Sequence, residues 1–215
     1  MSSAVQVAVK TENKVEQLTE LYAALERDHT LPFYHERTKN DYQVVLGEGT
    51  PAATILFLGE APGSREAVFG RPFIGAAGHL LHDLLKLEKI DRKRVFLTNM
   101  VKDCLPENRK PSAEASRPYI PYLEREINII QPMMLVPLGR FAMEFVFHRF
   151  QASVSDARIN DLHGQPIKGY ADYGEIVLFP LFHPAAALYD PMHLRTLAKD
   201  FRTLKAVASE MWLLD

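Results

Sequence analysis

Cysteine is almost absent from this chain of 215 residues, in which Cys104 is the single example. One thiol excludes a disulfide within the chain and a metal cluster held by several cysteines. No apolar run approaches the roughly 18 residues of a membrane-spanning helix, and the amino terminus lacks the basic start and apolar stretch of a signal peptide. These absences predict a soluble, cytoplasmic protein.

An excess of one charge is also absent. The net charge of −2 excludes a strongly basic protein that coats DNA, although it allows a local basic patch. Segment 59–63 lacks the Gly-Lys-Ser/Thr ending of a phosphate-binding loop, and His79 and His82 lack the HExxH context of a zinc site. No metal site is predicted.

The apolar pattern that is present predicts one α/β domain over 1–215, with 1–10 as a loose terminus. Strands are expected at 54–59, 94–101, 133–138 and 175–182. Between and around them, helices are expected at 13–28, 76–89, 114–131, 140–150 and 192–211. This alternation requires crossover connections, and therefore predicts a three-layer α/β/α sandwich with a central, mostly parallel four-stranded sheet.

Two of these strands end in loops of small residues, and each loop carries one chemically capable side chain. Glu60 lies in the run Gly59–Gly63, and His183 opens the run His183–Leu188. In open α/β sheets, ligands bind outside the carboxyl ends of the strands. The two loops are therefore expected to face one crevice.

Five motifs in this chain resemble those of family 4 uracil-DNA glycosylases. They are 59–63 with 70–78, Asn99 within 96–102, 106–111, 137–140 and 183–186, in the family's order across about 43–205. The resemblance implies the uracil-DNA glycosylase fold and hydrolysis of the N-glycosidic bond of uracil in single- or double-stranded DNA. The product would be an abasic site, the first step of base excision repair. With no lysine in the two key loops, water would be the attacking group.

The resemblance implies three catalytic residues, Glu60, Glu66 and His183. Loss of uracil makes the sugar oxocarbenium-like and the departing base anionic. Glu60 would accept a proton from water and favour the cationic sugar. Glu66 would either position water or hold the loop, and the sequence does not rank it against Glu60. His183 would donate to uracil O2, for which a neutral imidazole suffices.

Base recognition would come from the same loops. Phe73 would stack on the extruded base. Asn99 would accept from N3–H and donate to O4, a pattern that cytosine reverses. Backbone groups of Gly59, Ala61 and Gly63 would add contacts. Family 1 has a tyrosine at the position of Gly63 that rejects thymine, so the substrate range beyond uracil is left open.

DNA contacts are expected from loops around the crevice. The basic, turn-rich segment of Arg109, Lys110 and Ser112 would bind phosphates. The N-terminus of the helix that begins near Gly139 would do the same. Leu188 would enter the duplex as a wedge, with Ala187 and Tyr189 as competing candidates. The DNA-binding candidates are Arg109, Lys110, Ser112, Arg140, Pro184, Ala185 and Leu188.

One departure from the family concerns its iron–sulfur cluster, which four cysteines hold. The corresponding residues here are Asp28, Leu31, Asp103 and Tyr119. Leucine and tyrosine are poor ligands, and two carboxylates do not make a cluster site. We therefore expect a cluster-free branch with no cofactor, in which packing by Leu31, Phe33 and Tyr119 replaces the cluster.

Two other functions stay open at this point. A hydrolase of small N-glycosides would use the same Glu/His pair in a closed pocket without needing Arg109 or Lys110. A non-catalytic binder of damaged DNA would keep the fold alone, although the joint retention of Glu60, Asn99 and His183 argues against that alternative. A monomer is expected.

Overall fold

The sheet of this protein has a parallel centre and antiparallel edges. The structure, a computed structural model, describes residues 3–108, 111–154 and 158–214. The strands are β1 Glu48–Gly49, β2 Ile55–Gly59, β3 Phe96–Asn99, β4 Met134–Pro137, β5 Ile167–Ala171 and β6 Gly174–Leu178. Their order is β1-β3-β2-β4-β6-β5, with β3, β2, β4 and β6 parallel. The predicted parallel core of four strands is confirmed.

The two edge strands add to that prediction. β1 runs antiparallel to β3 and has two residues, too few to produce a period in the sequence. β5 pairs antiparallel with β6 in a hairpin, in which Ala171 lies opposite Gly174. The irregular stretch before the fourth predicted strand therefore supplies an edge strand of the same sheet.

Helices cover both faces of the sheet. They are α1 Ser3–Arg27, α2 Tyr34–Lys39, α3 Ser64–Phe69, α4 Ala76–Leu87, α5 Ala113–Ser116, α6 Ile120–Ile130, α7 Arg140–Arg149, α8 Ile159–Leu162, α9 Pro184–Ala187 and α10 Pro191–Glu210. In the described part of the chain, no helix combines the length and apolarity needed to cross a membrane.

Two predicted helices differ in the structure. The helix expected over 114–131 is instead α5, a 3₁₀ turn at Arg117–Tyr119, and α6. Pro118 and Pro121 each fall within the first two positions of a segment, where a missing N–H costs little. α1 begins at Ser3, ahead of the expected start at 13. The loose terminus over 1–10 stays a prediction.

Alternate residues of the central strands face opposite helical layers. Ile55 and Phe57 of β2 pack with α4 and α10, whereas Leu56 and Leu58 pack with α1, α6 and α7. The Phe57 ring stacks on that of Phe201 with centroids 6.1 Å apart. Because both faces of the sheet are buried, β2 reads as a continuous apolar run rather than an alternating one. The α/β/α architecture is confirmed.

A buried ionic group joins α2 to the segments that follow β3 and α5. Arg37 Nη1 lies 2.9 Å from Asp103 Oδ1, and the Tyr119 hydroxyl donates to Asp103 Oδ2 over 2.7 Å. Arg37 also donates to the Glu26 carbonyl oxygen over 3.2 Å. Burial raises the pKa of Asp103, and the hydrogen bonds from Tyr119 and Arg37 oppose that rise. Both carboxylate oxygens of Asp103 are thus held by protein donors.

Apolar side chains close around this ionic group. Leu31 and Tyr119 belong to one buried cluster with Leu25, and Phe33 packs against it. The Phe33 and Tyr119 rings stack with centroids 6.4 Å apart. The packing expected from Leu31, Phe33 and Tyr119 is therefore present, together with the ion pair to Arg37, which the sequence analysis missed.

Replacing Arg37 with methionine should destabilise the fold strongly. The Arg37→Met variant would leave the buried Asp103 carboxylate without its cation, which typically costs about 3–5 kcal/mol. The free energy of unfolding in urea measures this loss. Arg71→Met is the matched control, because Arg71 pairs with Glu48 at the surface and should lose about 1 kcal/mol or less. Equal losses in the two variants would show that the buried group is unimportant.

Candidate active site

Strand register brings the sequence-predicted residues to one edge of the sheet. Gly59 at the end of β2 is paired with Asn99 at the end of β3. On the other side, Leu138 beyond β4 forms a parallel bridge with Leu181, two residues before His183. The loops that carry Glu60 and His183 therefore emerge at the same carboxyl edge, where open α/β sheets bind ligands.

Two adjoining cavities open at this edge. The inner cavity has a volume of about 230 Å³, and the outer cavity one of about 800 Å³. Both are lined by the loop 61–63 and by His183. Predicted site residues that line the inner cavity are Ala61, Gly63, Glu66, Phe73, Asn99 and His183. Those that line the outer cavity are Glu60, Ala61, Gly63, Arg140, His183 and Ala185.

The Asn99 amide is a buried polar group at the wall of the inner cavity. Asn99 is only 3% exposed, and it makes no side-chain hydrogen bond within 3–108, 111–154 and 158–214. Buried polar groups normally have partners. An amide that lacks one and lines a cavity is therefore available to a ligand.

Gly59 makes this arrangement of Asn99 possible. A Cβ atom at position 59 would lie 2.2 Å from Asn99 Oδ1 and 2.7 Å from Phe73 Cζ. Any larger residue would push at least one of these side chains away. Gly59 therefore acts by allowing close approach, beyond the backbone contact that the sequence analysis assigned to it.

Phe73 sits in a left-handed backbone conformation, with φ of 55°, which costs roughly 1–2 kcal/mol for a residue with a side chain. Its surroundings hold it there. Arg92 donates to the Pro72 carbonyl oxygen over 2.8 Å, and α4 packs so closely that a Cβ at Gly78 would lie 2.0 Å from the Phe73 carbonyl. Neither support was predicted from the sequence: Gly78 lies within the motif 70–78, whereas no local signal marks Arg92.

Glu66 holds the loop that follows Phe73. Its Oε1 accepts hydrogen bonds from the backbone N–H groups of Gly75, over 2.8 Å, and Ile74, over 3.1 Å. A Cβ at Gly63 would lie 2.9 Å from Glu66 Oε2. The carboxylate therefore occupies the space beside position 63. Of the two roles that the sequence left open for Glu66, the geometry favours holding the loop.

His183 caps α9 in one defined tautomer. Its Nδ1 accepts a hydrogen bond from the Ala185 backbone N–H over 3.1 Å. In the neutral ring, the proton must then reside on Nε2. His183 lines both cavities, so its ring forms part of the wall between them.

Glu60 lies on the outer side of the same opening. Its backbone carbonyl accepts from Val101 N–H over 3.0 Å, which extends the pairing of β2 with β3. Its side chain is half-buried, with Oε1 shielded from solvent, and lines the outer cavity. Glu60 is therefore placed beside, rather than inside, the small cavity that holds Asn99.

The DNA-binding candidates differ in exposure and in whether they line the outer cavity. Arg140 has a side chain that is 72% exposed, pairs with Glu144 over 3.1 Å, and lines the outer cavity with Ala185. Pro184 is buried and Leu188 is half-buried. Among the described residues that line the outer cavity, Arg140 is the one exposed cation.

Ser112 is the N-cap residue of α5, and its Oγ accepts a hydrogen bond from the Ala115 backbone N–H over 3.1 Å. Arg109 and Lys110 lie outside the described residues. Pro111, next to Ser112, lines the outer cavity.

Comparisons with known proteins agree with this fold. The family described as the uracil DNA glycosylase superfamily matches residues 46–206. The chain is 41% identical over 165 residues to a type-4 uracil-DNA glycosylase of Sulfurisphaera tokodaii, covering 76% of this chain and 74% of that protein. Similar enzymes of Saccharolobus solfataricus and Archaeoglobus fulgidus are 39% and 36% identical, over 77% and 78% of this chain and 76% and 82% of theirs. The chain belongs to the uracil-DNA glycosylase superfamily.

The residues at the four cluster positions do not fit an iron–sulfur cluster. Asp103 uses both carboxylate oxygens on Arg37 and Tyr119. Asp28 accepts from the Tyr122 hydroxyl over 2.8 Å, and Leu31 is packed in the apolar cluster. The polar side chains at these positions form hydrogen bonds with other protein groups, and Leu31 packs against apolar side chains.

Variants of Glu66 test whether its carboxylate holds the loop at Ile74 and Gly75 or only lines the inner cavity. Glu66→Ala removes the acceptor for two backbone N–H groups, and hydrogen bonds to a charged group contribute about 1.5–3 kcal/mol. Hydrogen exchange at the Ile74 and Gly75 amides should therefore accelerate by roughly 10- to 100-fold. Glu66→Gln keeps an acceptor oxygen and should preserve most protection. Arg65→Ala, on the exposed side of α3, is the control. Unchanged exchange in Glu66→Ala would contradict this role.

Proposed function

We propose that this protein hydrolyses the N-glycosidic bond of uracil in DNA and leaves an abasic site. The observation that carries the proposal is the buried Asn99 amide, which lines a small cavity beside Phe73 and has no partner within the described ranges. A flat, apolar ring next to a buried amide suits a single nucleobase. The family membership supports the same activity.

Base selection would follow from the two functions of that amide. The Asn99 oxygen accepts from uracil N3–H, and its NH₂ group donates to O4. Cytosine has an acceptor at N3 and donors at N4, so it would leave the buried amide unpaired on both atoms. A ligand that leaves buried donors and acceptors unpaired binds much more weakly.

Departure of the base would be assisted by His183. As the glycosidic bond breaks, negative charge accumulates on uracil O2. The hydrogen bond that His183 Nδ1 accepts from Ala185 N–H fixes the orientation of the ring and leaves the proton of the neutral ring on Nε2, from which it would be donated to this oxygen. A fixed donor aimed at developing charge stabilises the transition state more than the ground state.

The attacking group would be water, activated by Glu60. Glu60 lines the outer cavity beside His183, where the sugar of a base held in the inner cavity would lie. The lysine closest in sequence to Asn99 is Lys102, whose Nζ is buried 2.6 Å from Glu126 Oε2. This amine is committed to an ion pair, which supports hydrolysis rather than attack by an amine.

The proposal needs neither a metal nor a cluster. Contacts of Asp28, Leu31, Asp103 and Tyr119 with other protein side chains support this point, and the three chemical tasks are assigned to Asn99, His183 and Glu60. A monomeric state and a cytoplasmic location stay predictions. The two alternatives, a hydrolase of small N-glycosides and a non-catalytic damage binder, become outcomes of the experiment below.

The direct test offers oligonucleotides with one uracil, thymine, hypoxanthine or xanthine, in single and double strands and in the presence of EDTA. Alkali then cleaves any abasic site. Uracil strands should be cleaved in full and EDTA should not slow the reaction. Activity on free deoxyuridine alone would support the small-glycoside alternative. Tight binding of uracil DNA without cleavage would support the damage binder, and either result would contradict the proposal.

Glu60 should be more important for chemistry than Glu66. Glu60→Gln removes the base that accepts the proton of water and should slow single-turnover uracil release by about 10²- to 10⁴-fold. Glu66→Gln is the matched control, because it makes the same chemical change 6 residues away but keeps the loop contact; it should stay within roughly fivefold of the unmodified protein. The reverse order of rates would exchange the roles of the two carboxylates.

A further inference from the structure

The most exposed large hydrophobic side chain described in this protein is that of Tyr189, at 92%. It follows α9, immediately before the cap residue of α10. An isolated exposed aromatic ring contributes little to the stability of the chain that carries it. Its position on the loop that begins with His183 therefore invites a functional explanation.

Tyr189 is presented by a turn that is held on both sides. On one side, Ala187 is buried against the core. On the other, Asp190 caps α10: its Oδ1 accepts from Met192 N–H over 2.8 Å, and its Oδ2 lies 2.6 Å from His193 Nδ1. The hydrogen bonds to Asp190 and the burial of Ala187 position the backbone on either side of an exposed ring.

The same turn is linked to the proposed catalytic histidine. The His193 ring packs edge-on against Phe182, with centroids 5.2 Å apart. Phe182 directly precedes His183 and lines the outer cavity with Ala186, three residues before Tyr189. Tyr189 therefore follows, within three residues, a segment that lines the cavity that would receive the sugar.

We propose that Tyr189 is the wedge that enters the duplex and stacks in the gap left by the extruded nucleotide; this rests on the proposed function. Of the three wedge candidates, Ala187 is buried and Leu188 is half-buried, so neither projects as far. A base presents a flat face to an aromatic ring, and such stacking is typically worth about 1–3 kcal/mol. The wedge would hold the helix open while the base occupies the inner cavity.

A wedge is needed only where a stacked duplex must be opened. Tyr189→Ala should therefore slow single-turnover uracil release from duplex DNA by roughly tenfold or more, while release from single strands changes much less. Tyr189→Phe keeps the ring and should retain the duplex rate within about twofold. In duplexes with 2-aminopurine beside a non-cleavable 2′-fluoro-deoxyuridine, the fluorescence change caused by the unmodified protein should be lost with Tyr189→Ala.

Two control variants separate the wedge from other effects. Trp212→Ala removes a ring that is 80% exposed but lies next to Leu213, whose carbonyl contacts Thr54 before the start of β2. This variant should change neither rate. Leu188→Ala tests the competing wedge. Equal slowing of Tyr189→Ala on single and double strands, or a duplex defect confined to Leu188→Ala, would overturn the inference. Absence of uracil release by the unmodified protein would instead defeat the proposed function.

Discussion

The close approach of β2 to the side chains of Asn99 and Phe73 is the constraint on which the rest of the site depends. Gly59 pairs in parallel register with Asn99 and leaves no room for a Cβ atom between the two elements. The contact allows the Asn99 amide to stay buried at the cavity wall. It also places the Phe73 ring against the strand, in a strained conformation that Arg92 supports. The proposed base recognition would thus be built on the sheet, which supplies the fixed geometry that such a site requires.

The segment that follows Asn99 needs its own anchor, and a buried ion pair provides it. Asp103 lies four residues beyond Asn99, where Arg37 and Tyr119 hold both of its carboxylate oxygens. In the family that the sequence resembles, a cluster joins these segments. Here a charge pair within an apolar shell joins them, and its desolvation is compensated by several hydrogen bonds. Among the described residues, these side chains therefore hold α2 against the segments that follow β3 and α5.

The sequence was sufficient for the parallel core because buried strands give continuous apolar runs, as in 55–58. The loops of Glu60 and His183 were predictable as neighbours because their strands end in tight turns at one edge. Three features were not predictable from local patterns. β1 is too short to show a period, Arg37 finds Asp103 across 66 residues, and the roles of Glu66 depend on two backbone N–H groups eight and nine residues ahead. Each is a tertiary contact without a sequence signature.

The division of the cleft into two cavities also explains why its chemistry is distributed over distant segments. The inner cavity carries the amide and the ring, and the outer cavity carries Glu60 and Arg140. A crystal structure with DNA that contains 2′-fluoro-deoxyuridine tests this account most directly. The account predicts the uracil ring against Phe73, with N3 and O4 within hydrogen-bond distance of the Asn99 amide. A base that remains stacked in the DNA, or that lies outside the inner cavity, would contradict it.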